Sequence, residues 1–382
     1  MSPPLADFAL DTLLLPFADG TLAWPDDGVL FLRARDGAAL HERALPGLVC
    51  EQSFKSDADA LQRSGFVVRT PDASRNAPTF GLVLLLPPRQ RDEARALFAE
   101  ALARVRPGGI VVASMANDAG ARSGEADFAR IAGTLASRCK HKCRVFWTQV
   151  DGRAAHSGDA ALAAHWRTLD APRPLADGRY ISCPGVFAWD RIDPATALLA
   201  AHLPTDLAGR AADLGAGYGP LAVELLQRCA GITALDLYEA EARALDLARH
   251  NLAPFAAQAR IDFRWHDVGT GLPDRYDVIV SNPPFHAQGS ADRPDIGRRF
   301  IAVAAQALNP GGRLWLVANR HLPYESVLDA SFGSVRLVAQ HDGFKIVEAT
   351  KASAAASKPV TPAAPRRARG KESRSAWRRD FE

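Results

Sequence analysis

The chain lacks any apolar run long enough to cross a bilayer. Crossing requires roughly 20 consecutive apolar residues, whereas the longest runs here, such as residues 82–86, are closed by prolines. No basic leader precedes the apolar stretch near the N-terminus, where Asp7 and Asp11 lie instead, so the sequence does not predict a secretory signal. We therefore expect a cytoplasmic protein without a membrane segment.

Cysteine is scarce as well. Five cysteines, an odd number, are spread over 382 residues, which favours reduced thiols over a disulfide framework. Cys139 and Cys143 flank a Lys-His-Lys run, but two thiols and one histidine fall short of the four ligands of a structural zinc site. The sequence therefore predicts a basic loop at this point and no metal.

Length, composition and charge favour two folded domains with a tail. A chain of 382 residues with 47% hydrophobic and 23% charged residues is too apolar to be wholly disordered and too long for one ordinary domain. Residues 351–382 hold nine basic and three acidic side chains within a net charge of +3 for the whole chain. This segment, which begins with an Ala, Ser and Pro-rich linker, is predicted to be disordered. It would contact a polyanion or simply act as a solubilising terminus.

Apolar runs and helical patterns alternate in the second half of the chain. Strands are predicted at residues 210–214, 232–237, 261–265, 276–281 and 313–318, with a closing pair at 334–340 and 344–350. Amphipathic helices are predicted between them at residues 221–228, 240–251 and 297–307. Repeated β-then-α units indicate a doubly wound, mostly parallel α/β sheet.

The first half repeats part of this pattern. Residues 82–88 and 278–284 are both apolar strands that end in Pro-Pro, and residues 106–114 and 309–317 both begin with Pro-Gly-Gly before a strand. Chance is the alternative, since many helices end at Pro-Gly-Gly before a strand. We interpret the similarity as a diverged internal duplication.

The duplication and the turn-rich segment at residues 151–177 predict the domain organisation. We expect a first α/β domain at residues 1–170, a second at 179–350 and the tail at 351–382.

A glycine-rich turn follows the strand predicted at 210–214, with Asp213, Gly215, Gly217 and Gly219. Such a turn lets backbone amides approach a ligand at a helix N-terminus. Pro220 stands where a nicotinamide dinucleotide fingerprint has its third glycine. Asp236, predicted to end the next strand, could bind ribose hydroxyls, and Asp267, after the third strand, could reach an adenine amino group. The alternative for Asp267 is an exposed turn residue.

Asn282, Pro283, Pro284 and Phe285 follow the fourth strand. Two prolines stiffen this turn and would fix the Asn282 amide and nearby carbonyls as hydrogen-bond acceptors. The Phe285 ring beside them suits stacking on a planar base whose exocyclic amine those acceptors hold. His286 could relay a proton, although a capping role is the simpler alternative.

These motifs resemble the S-adenosylmethionine-dependent methyltransferases that carry Asn-Pro-Pro-Phe or Asn-Pro-Pro-Tyr. The chain most resembles the two-domain ribosomal RNA guanine-N2 methyltransferases, the small-subunit enzyme and its large-subunit relative. The shared segments are residues 183–187 with Asp193, the Leu198-Leu199 pair, the glycine loop, Asp236, and residues 281–286, 317–324 and 343–346. The resemblance implies two tandem Rossmann-like class I methyltransferase domains, the N-terminal one degenerate.

The resemblance also implies roles for individual residues. Asp213, Gly215, Gly217 and Gly219 would hold the methionine and ribose of S-adenosyl-L-methionine, Asp236 its ribose hydroxyls and Asp267 its adenine, while Phe187 and Asp193 would line the donor pocket. Asn282 and Pro283 would accept hydrogen bonds from the guanine amine, and Phe285 would stack on the base.

The N-terminal half departs from this pattern. Leu86 stands where the second half has Asn282, and Arg89 where it has Phe285. We expect this half to bind no donor and to support the catalytic half. Arg89, Arg91 and Arg95 would hold RNA or simply form an exposed helix face.

The sequence thus predicts methyl transfer to N2 of a guanine in ribosomal RNA, with 16S RNA of the small subunit favoured over 23S RNA. The partner would be ribosomal RNA or a ribosomal subunit, no metal is needed, and a monomer is favoured. Three alternatives stay open: methylation of adenine N6, methylation of a protein glutamine, and a non-catalytic RNA-binding assembly factor. A dehydrogenase is a more distant possibility.

Overall fold

The structure is a computed structural model that describes residues 7–26, 28–71, 78–150, 158–175, 178–284 and 293–353. The predicted tail beyond residue 353, Phe285 and His286 lie outside the described residues. None of the helices in the described ranges is long and apolar enough to span a membrane.

The N-terminal half is a seven-stranded sheet flanked by helices. Its elements are α1 (Phe8–Ala18), β1 (Val29–Leu32), α2 (Ala38–His41), β2 (Leu48–Glu51), α3 (Lys55–Arg63), β3 (Val67–Arg69), β4 (Phe80–Leu85), α4 (Arg91–Arg104), β5 (Val105–Ala116), α5 (Ala121–Ala132), β6 (Ala136–Lys140), β7 (Cys143–Gln149) and α6 (Ala160–Trp166). The strand order across the sheet is β3-β2-β1-β4-β5-β7-β6.

The C-terminal half contains a second sheet of seven strands and a small two-stranded ribbon. Its elements are β8 (Arg173–Pro174), β9 (Ile181–Ser182), α7 (Pro194–His202), β10 (Ala208–Leu214), α8 (Pro220–Arg228), β11 (Gly231–Glu239), α9 (Ala242–Leu252), β12 (Arg260–Trp265), β13 (Tyr276–Ser281), α10 (Pro294–Ala307), β14 (Leu308–Asn319), α11 (Glu325–Ser331), β15 (Ser334–His341) and β16 (Phe344–Thr350). The large sheet has the order β12-β11-β10-β13-β14-β16-β15.

The two large sheets have the same topology. In each, five strands are parallel, and the last two strands of the half form antiparallel pairs at one edge. This identity confirms the expected pair of tandem Rossmann-like domains. The proposed limits of the domains at residues 170 and 179 stay a prediction.

The central strands are buried on both faces, as helix-covered parallel strands should be. In β13, Val278 and Val280 join the core beneath α8 and α9, while Ile279 joins the core beneath α10. The same alternation occurs in β4 of the first half. Core packing therefore holds the carboxyl ends of β10 and β13 side by side, where a doubly wound sheet binds its ligand.

The two halves meet through equivalent loops. Phe54, which precedes α3, forms an antiparallel bridge with Glu241, which precedes α9. The Lys55 N–H donates to the Ala240 carbonyl at 2.8 Å, and the Ala242 N–H donates to the Ser53 carbonyl at 2.9 Å.

A group of charged side chains reinforces this contact. The buried Glu93 carboxylate of the first half accepts from Arg33 and, at 2.9 Å, from Arg243 of the second half. Arg243 also contacts Glu241 at 3.1 Å. The loop after β11 is therefore fixed from the N-terminal side of the molecule.

Candidate active site

The glycine-rich loop joins the carboxyl end of β10 to α8. Gly215, Gly217 and Gly219 all have positive φ angles, of 74°, 57° and 87°, a conformation that favours glycine. A Cβ at Gly219 would come within 2.7 Å of Leu252, whereas nothing lies within 4 Å of the corresponding position at Gly217. Gly219 therefore permits close packing against α9, and Gly217 leaves open space above the loop.

The buried side chain of Asp213 lines the same space. Its side chain is 1% exposed, and its Oδ2 atom has no hydrogen-bond partner. Burial and the nearby Glu239 carboxylate raise the pKa of Asp213 to about 8. A buried carboxylate in this state is stabilised by a cation placed beside it.

Glu239 lies beside the same loop and was missed from the sequence. Its carboxylate accepts from the Gly217 N–H and from the Glu241 N–H, both at 2.8 Å. Burial raises the pKa of Glu239. β11 continues to Glu239 rather than ending near residue 237, so this residue is the acid at the carboxyl end of the second strand.

Asp236 does not lie at the ligand-binding edge, contrary to the sequence prediction. The Oδ2 atom of this fully buried side chain accepts from Arg210 and Tyr276, both at 2.6 Å, while Oδ1 is buried without a partner. Tyr276 begins β13, and Arg210 lies four residues before the end of β10, so these contacts hold Asp236 within the sheet, before the end of β11. A contact of Asp236 with ribose stays a prediction, and Glu239 is the acid that lies at the end of β11.

Asp267 follows β12, as expected, but its carboxylate is engaged. One oxygen accepts from the Gly269 N–H at 2.8 Å and the other from the Ser56 hydroxyl of the N-terminal half at 2.7 Å. A contact of Asp267 with adenine stays a prediction.

Asn282 extends from the end of β13 opposite the glycine loop. Its Nδ2 donates to Asp193 Oδ2 and to Thr196 Oγ1, both at 2.9 Å, while its Oδ1 is buried without a partner. Ser281 donates to the Leu214 carbonyl at 2.8 Å and so ties the two loops together. Pro283 is buried beside Asn282.

A cavity of about 400 Å³, open to solvent, joins these elements. It is lined by Phe187, Ala188, Asp193, Thr196, Asp213, Gly215, Ala216, Gly217, Tyr218, Pro220, Leu221 and Asn282. Phe187 lies at the cavity with 65% of its surface exposed. The structure brings Phe187, Asp193, Asp213, Gly215, Gly217 and Asn282 of the predicted residues together there.

The N-terminal half carries other side chains at the positions equivalent to this site. Leu86 is buried. Arg91 and Arg95, two of the three arginines predicted to hold RNA, both donate to Asp127 at 2.8 to 3.1 Å. Arg89 is exposed, and its contact with RNA stays a prediction.

Cys139 and Cys143 lie on the β6–β7 hairpin. Cys139 is exposed and Cys143 is buried, and burial raises the pKa of the Cys143 thiol. Within the ranges that the structure describes, no group of three or more His, Cys, Asp or Glu side chains is arranged to hold a metal ion.

Comparisons with known proteins identify sequence relatives of the chain. The family model described as Methyltransferase small domain matches residues 177–348. The chain is 31% identical over 271 residues to the ribosomal RNA small subunit methyltransferase C of Erwinia tasmaniensis, covering 70% of this chain and 75% of that protein. It is 30% identical over 272 residues to the protein of that name from Shewanella amazonensis, covering 70% and 76%.

The fold as a whole also has a solved counterpart. The T. thermophilus 16S rRNA N2 G1207 methyltransferase, in complex with AdoMet and guanosine, superposes with a TM-score of 0.73 at 24% identity over 92% of this chain and 94% of that one. This likeness concerns the architecture of both halves. On the strength of its sequence relatives, the chain belongs to the family of ribosomal RNA small subunit methyltransferase C.

Proposed function

We propose that this protein is an S-adenosylmethionine-dependent methyltransferase that places a methyl group on N2 of a guanine in 16S ribosomal RNA. The observation that carries the proposal is the Asn282 Oδ1 atom, which is buried without a partner in the cavity that the glycine loop and Asp213 also line. The family relationship supports the choice of RNA as acceptor.

The cavity fits S-adenosylmethionine on its own chemistry. Asp213 offers a buried carboxylate oxygen without a partner, which a cationic amino group would satisfy. Glu239 offers carboxylate oxygens at the carboxyl end of β11, where ribose hydroxyls bind in doubly wound folds. The open space above Gly217 leaves room for a ligand against the backbone.

When bound, S-adenosylmethionine supplies an electrophilic methyl group on a sulfonium. Asn282 Oδ1 and the Pro283 carbonyl would accept hydrogen bonds from the guanine amine, whose lone pair is otherwise delocalised into the ring. The fold holds these acceptors in place before the substrate binds, so they orient the guanine nitrogen toward the methyl group without having to rearrange. Avoiding this rearrangement is the main contribution that fixed dipoles make to catalysis. Phe285, outside the described residues, is proposed to stack on the base.

The acceptor base must leave its helix to reach Asn282, because a paired guanine inside a helix cannot bring N2 to a recessed side chain. We therefore propose an unpaired or flipped guanine as the substrate. Ribosomal RNA or a ribosomal subunit is the proposed partner, and a cytoplasmic location follows from it. The basic tail would add phosphate contacts to this RNA, which weaken with salt.

The test is transfer of labelled methyl groups to under-methylated small subunits, large subunits, and free 16S and 23S RNA, followed by nucleoside analysis. We expect N2-methylguanosine in 16S RNA and, for Asn282→Ala, a rate at least ~100-fold lower with unchanged affinity for S-adenosylhomocysteine. Asn309→Ala is the matched control, since Asn309 donates to Asp277 outside the cavity. Labelling of protein or adenine, or of no RNA at all, would reject the proposal.

A further inference from the structure

We propose that Thr196 and Asp193 are positioning residues that fix the Asn282 amide with its oxygen toward the methyl acceptor. This inference rests on the proposed function, because it explains how the acceptor atom is presented. It also gives Asp193 a role different from the donor-pocket lining predicted by the sequence resemblance. Neither residue is proposed to touch the guanine.

The two contacts to Asn282 determine which end of the amide faces them. Asn282 Nδ2 lies 2.9 Å from both Asp193 Oδ2 and Thr196 Oγ1. An ionised carboxylate only accepts hydrogen bonds. The single hydroxyl hydrogen of Thr196 is directed to Asp193 Oδ2 at 3.2 Å, so this hydroxyl also faces Asn282 as an acceptor.

A flipped amide would be penalised at Asp193. Its oxygen would face the carboxylate, and Thr196 could donate to that oxygen only by turning its hydroxyl hydrogen away from Asp193. The NH₂ group would then point into the cavity, where it donates and cannot accept a hydrogen bond from an exocyclic amine. The observed orientation is therefore the one that methyl transfer needs, and it exists before any substrate binds.

The first turn of α7 makes this arrangement rigid. Asp193 is the N-cap of the helix and accepts from the Thr196 N–H at 2.9 Å, while Pro194 occupies the first turn. The helix is anchored by Ala195 and Leu199, which are both fully buried. Asp193 Oδ2 thus accepts from both the Thr196 N–H at the helix start and the Asn282 Nδ2 atom. One carboxylate oxygen therefore links the start of α7 to the Asn-Pro-Pro turn.

The first experiment compares Thr196→Val with Thr196→Ser. Valine removes the hydroxyl acceptor while preserving shape at a buried position, and Asp193 can still cap α7. We expect Thr196→Val to lower the single-turnover methylation rate by at least ~10-fold, with the Kd for S-adenosylhomocysteine within threefold of the wild type, whereas Thr196→Ser restores the rate. Thr148→Val, another buried threonine whose hydroxyl donates to Thr134 in the N-terminal half, is the control and should change neither quantity.

Asp193 gives a second pair of variants. Asp193→Asn keeps an oxygen that can cap α7 and accept from Asn282, so we expect a rate near that of the wild type. Asp193→Ala removes that oxygen, and we expect a larger loss of rate than in Thr196→Val. A wild-type rate in Thr196→Val, or a loss of donor affinity that matches its loss of rate, would overturn the proposal.

A readout independent of activity separates this inference from the proposed function. The chain has only six asparagines, so selective ¹⁵N labelling gives six side-chain NH₂ signals, and Asn282→Ala assigns one of them. We expect slow hydrogen exchange at Asn282 Nδ2 in the wild type and exchange at least ~10-fold faster in Thr196→Val. Fast exchange in the wild type rejects the orientation, whereas slow exchange with no methylation of any RNA rejects only the proposed function.

Discussion

The affinity for S-adenosylhomocysteine is expected to fall as the pH is lowered from 8 to 6, because Asp213 must ionise to pair with the amino group of the ligand. Burial and the Glu239 carboxylate raise the pKa of Asp213 to about 8 in the ligand-free protein. A group with this pKa is about one-half ionised at pH 8 and about one-hundredth ionised at pH 6. The dissociation constant should therefore rise by about 50-fold over this range, if binding requires the ionised form.

Calorimetric titration at pH 6, 7 and 8 in two buffers of different ionisation enthalpy measures both the affinity and the accompanying proton release. At pH 7 about 0.9 protons should be released per ligand bound. Asp213→Asn should bind weakly and keep only the part of the pH dependence that belongs to Glu239. Since the pKa of Glu239 is also raised by burial, Glu239→Gln shows how much of the dependence belongs to each acid. A dissociation constant that stays the same from pH 6 to pH 8 in the wild type would contradict this role of Asp213.

The stability of the ligand-free protein should follow the opposite trend. The pKa of Asp213 is raised from its ordinary value of 3.8, so the folded state binds this proton more tightly than the unfolded state. The stabilisation from protonated Asp213 is fully present below pH 3.8 and is lost as the pH rises through about 8. Asp213→Asn should therefore raise the Tm of the ligand-free protein at pH 8.

Three further outcomes are expected. Glu239→Gln should weaken S-adenosylhomocysteine binding about 10-fold, because it removes one charge-assisted hydrogen bond to the ligand. Asp236→Asn should instead lower the Tm without changing that affinity. Equal affinities in the two variants would contradict the assignment of Glu239. Arg243→Met should lower the free energy of unfolding in urea by about 2 kcal/mol, because it removes the cation that Glu93 and Glu241 share and leaves Arg33 on Glu93. A loss below about 1 kcal/mol would mean that solvent reaches these carboxylates. Removal of residues 354–382 should weaken RNA binding and reduce its dependence on salt concentration. Filter binding at salt concentrations from about 50 to about 300 mM would measure both. If the slope of log affinity against log salt concentration is unchanged, the tail has no role in RNA binding.

Much of the architecture could be predicted from the sequence, because each half alternates apolar strands with amphipathic helices. The strand predicted at 210–214 is β10, and the helix predicted at 297–307 is the main part of α10. The glycine loop and the Asn-Pro-Pro turn follow their strands as expected, since prolines and glycines mark strand ends by their own backbone preferences.

The error at the second strand has a local cause. Asp236 looked like the end of an apolar run, because aspartate is rare inside strands. β11 continues through Leu237, Tyr238 and Glu239. The interior Asp236 is tolerated because Arg210 of β10 and Tyr276 of β13 both donate to its Oδ2 atom.

Contacts between distant segments could not be predicted at all. The hydrogen bond between Asp193 and Asn282 joins residues 89 positions apart, and that between Ser56 and Asp267 joins residues 211 positions apart. Neither has a local pattern, since each depends on how a helix start or a loop packs onto a sheet edge. The sequence resemblance predicted that Asp193 belongs to the site, but only the structure shows that it accepts from Asn282 Nδ2.

The bridge between Phe54 and Glu241 also bears on how a two-domain chain of this kind arises. The two residues occupy equivalent positions, each directly before the helix that follows the second strand of its half. Their flanking amides and carbonyls bond reciprocally, which is the arrangement of two identical surfaces about a two-fold axis. A single-domain ancestor could have made this same contact with a second copy of itself. Fusion of two copies would then have kept the dimer contact. The N-terminal copy would no longer have needed its own active site, and Leu86 now stands there at the position of Asn282.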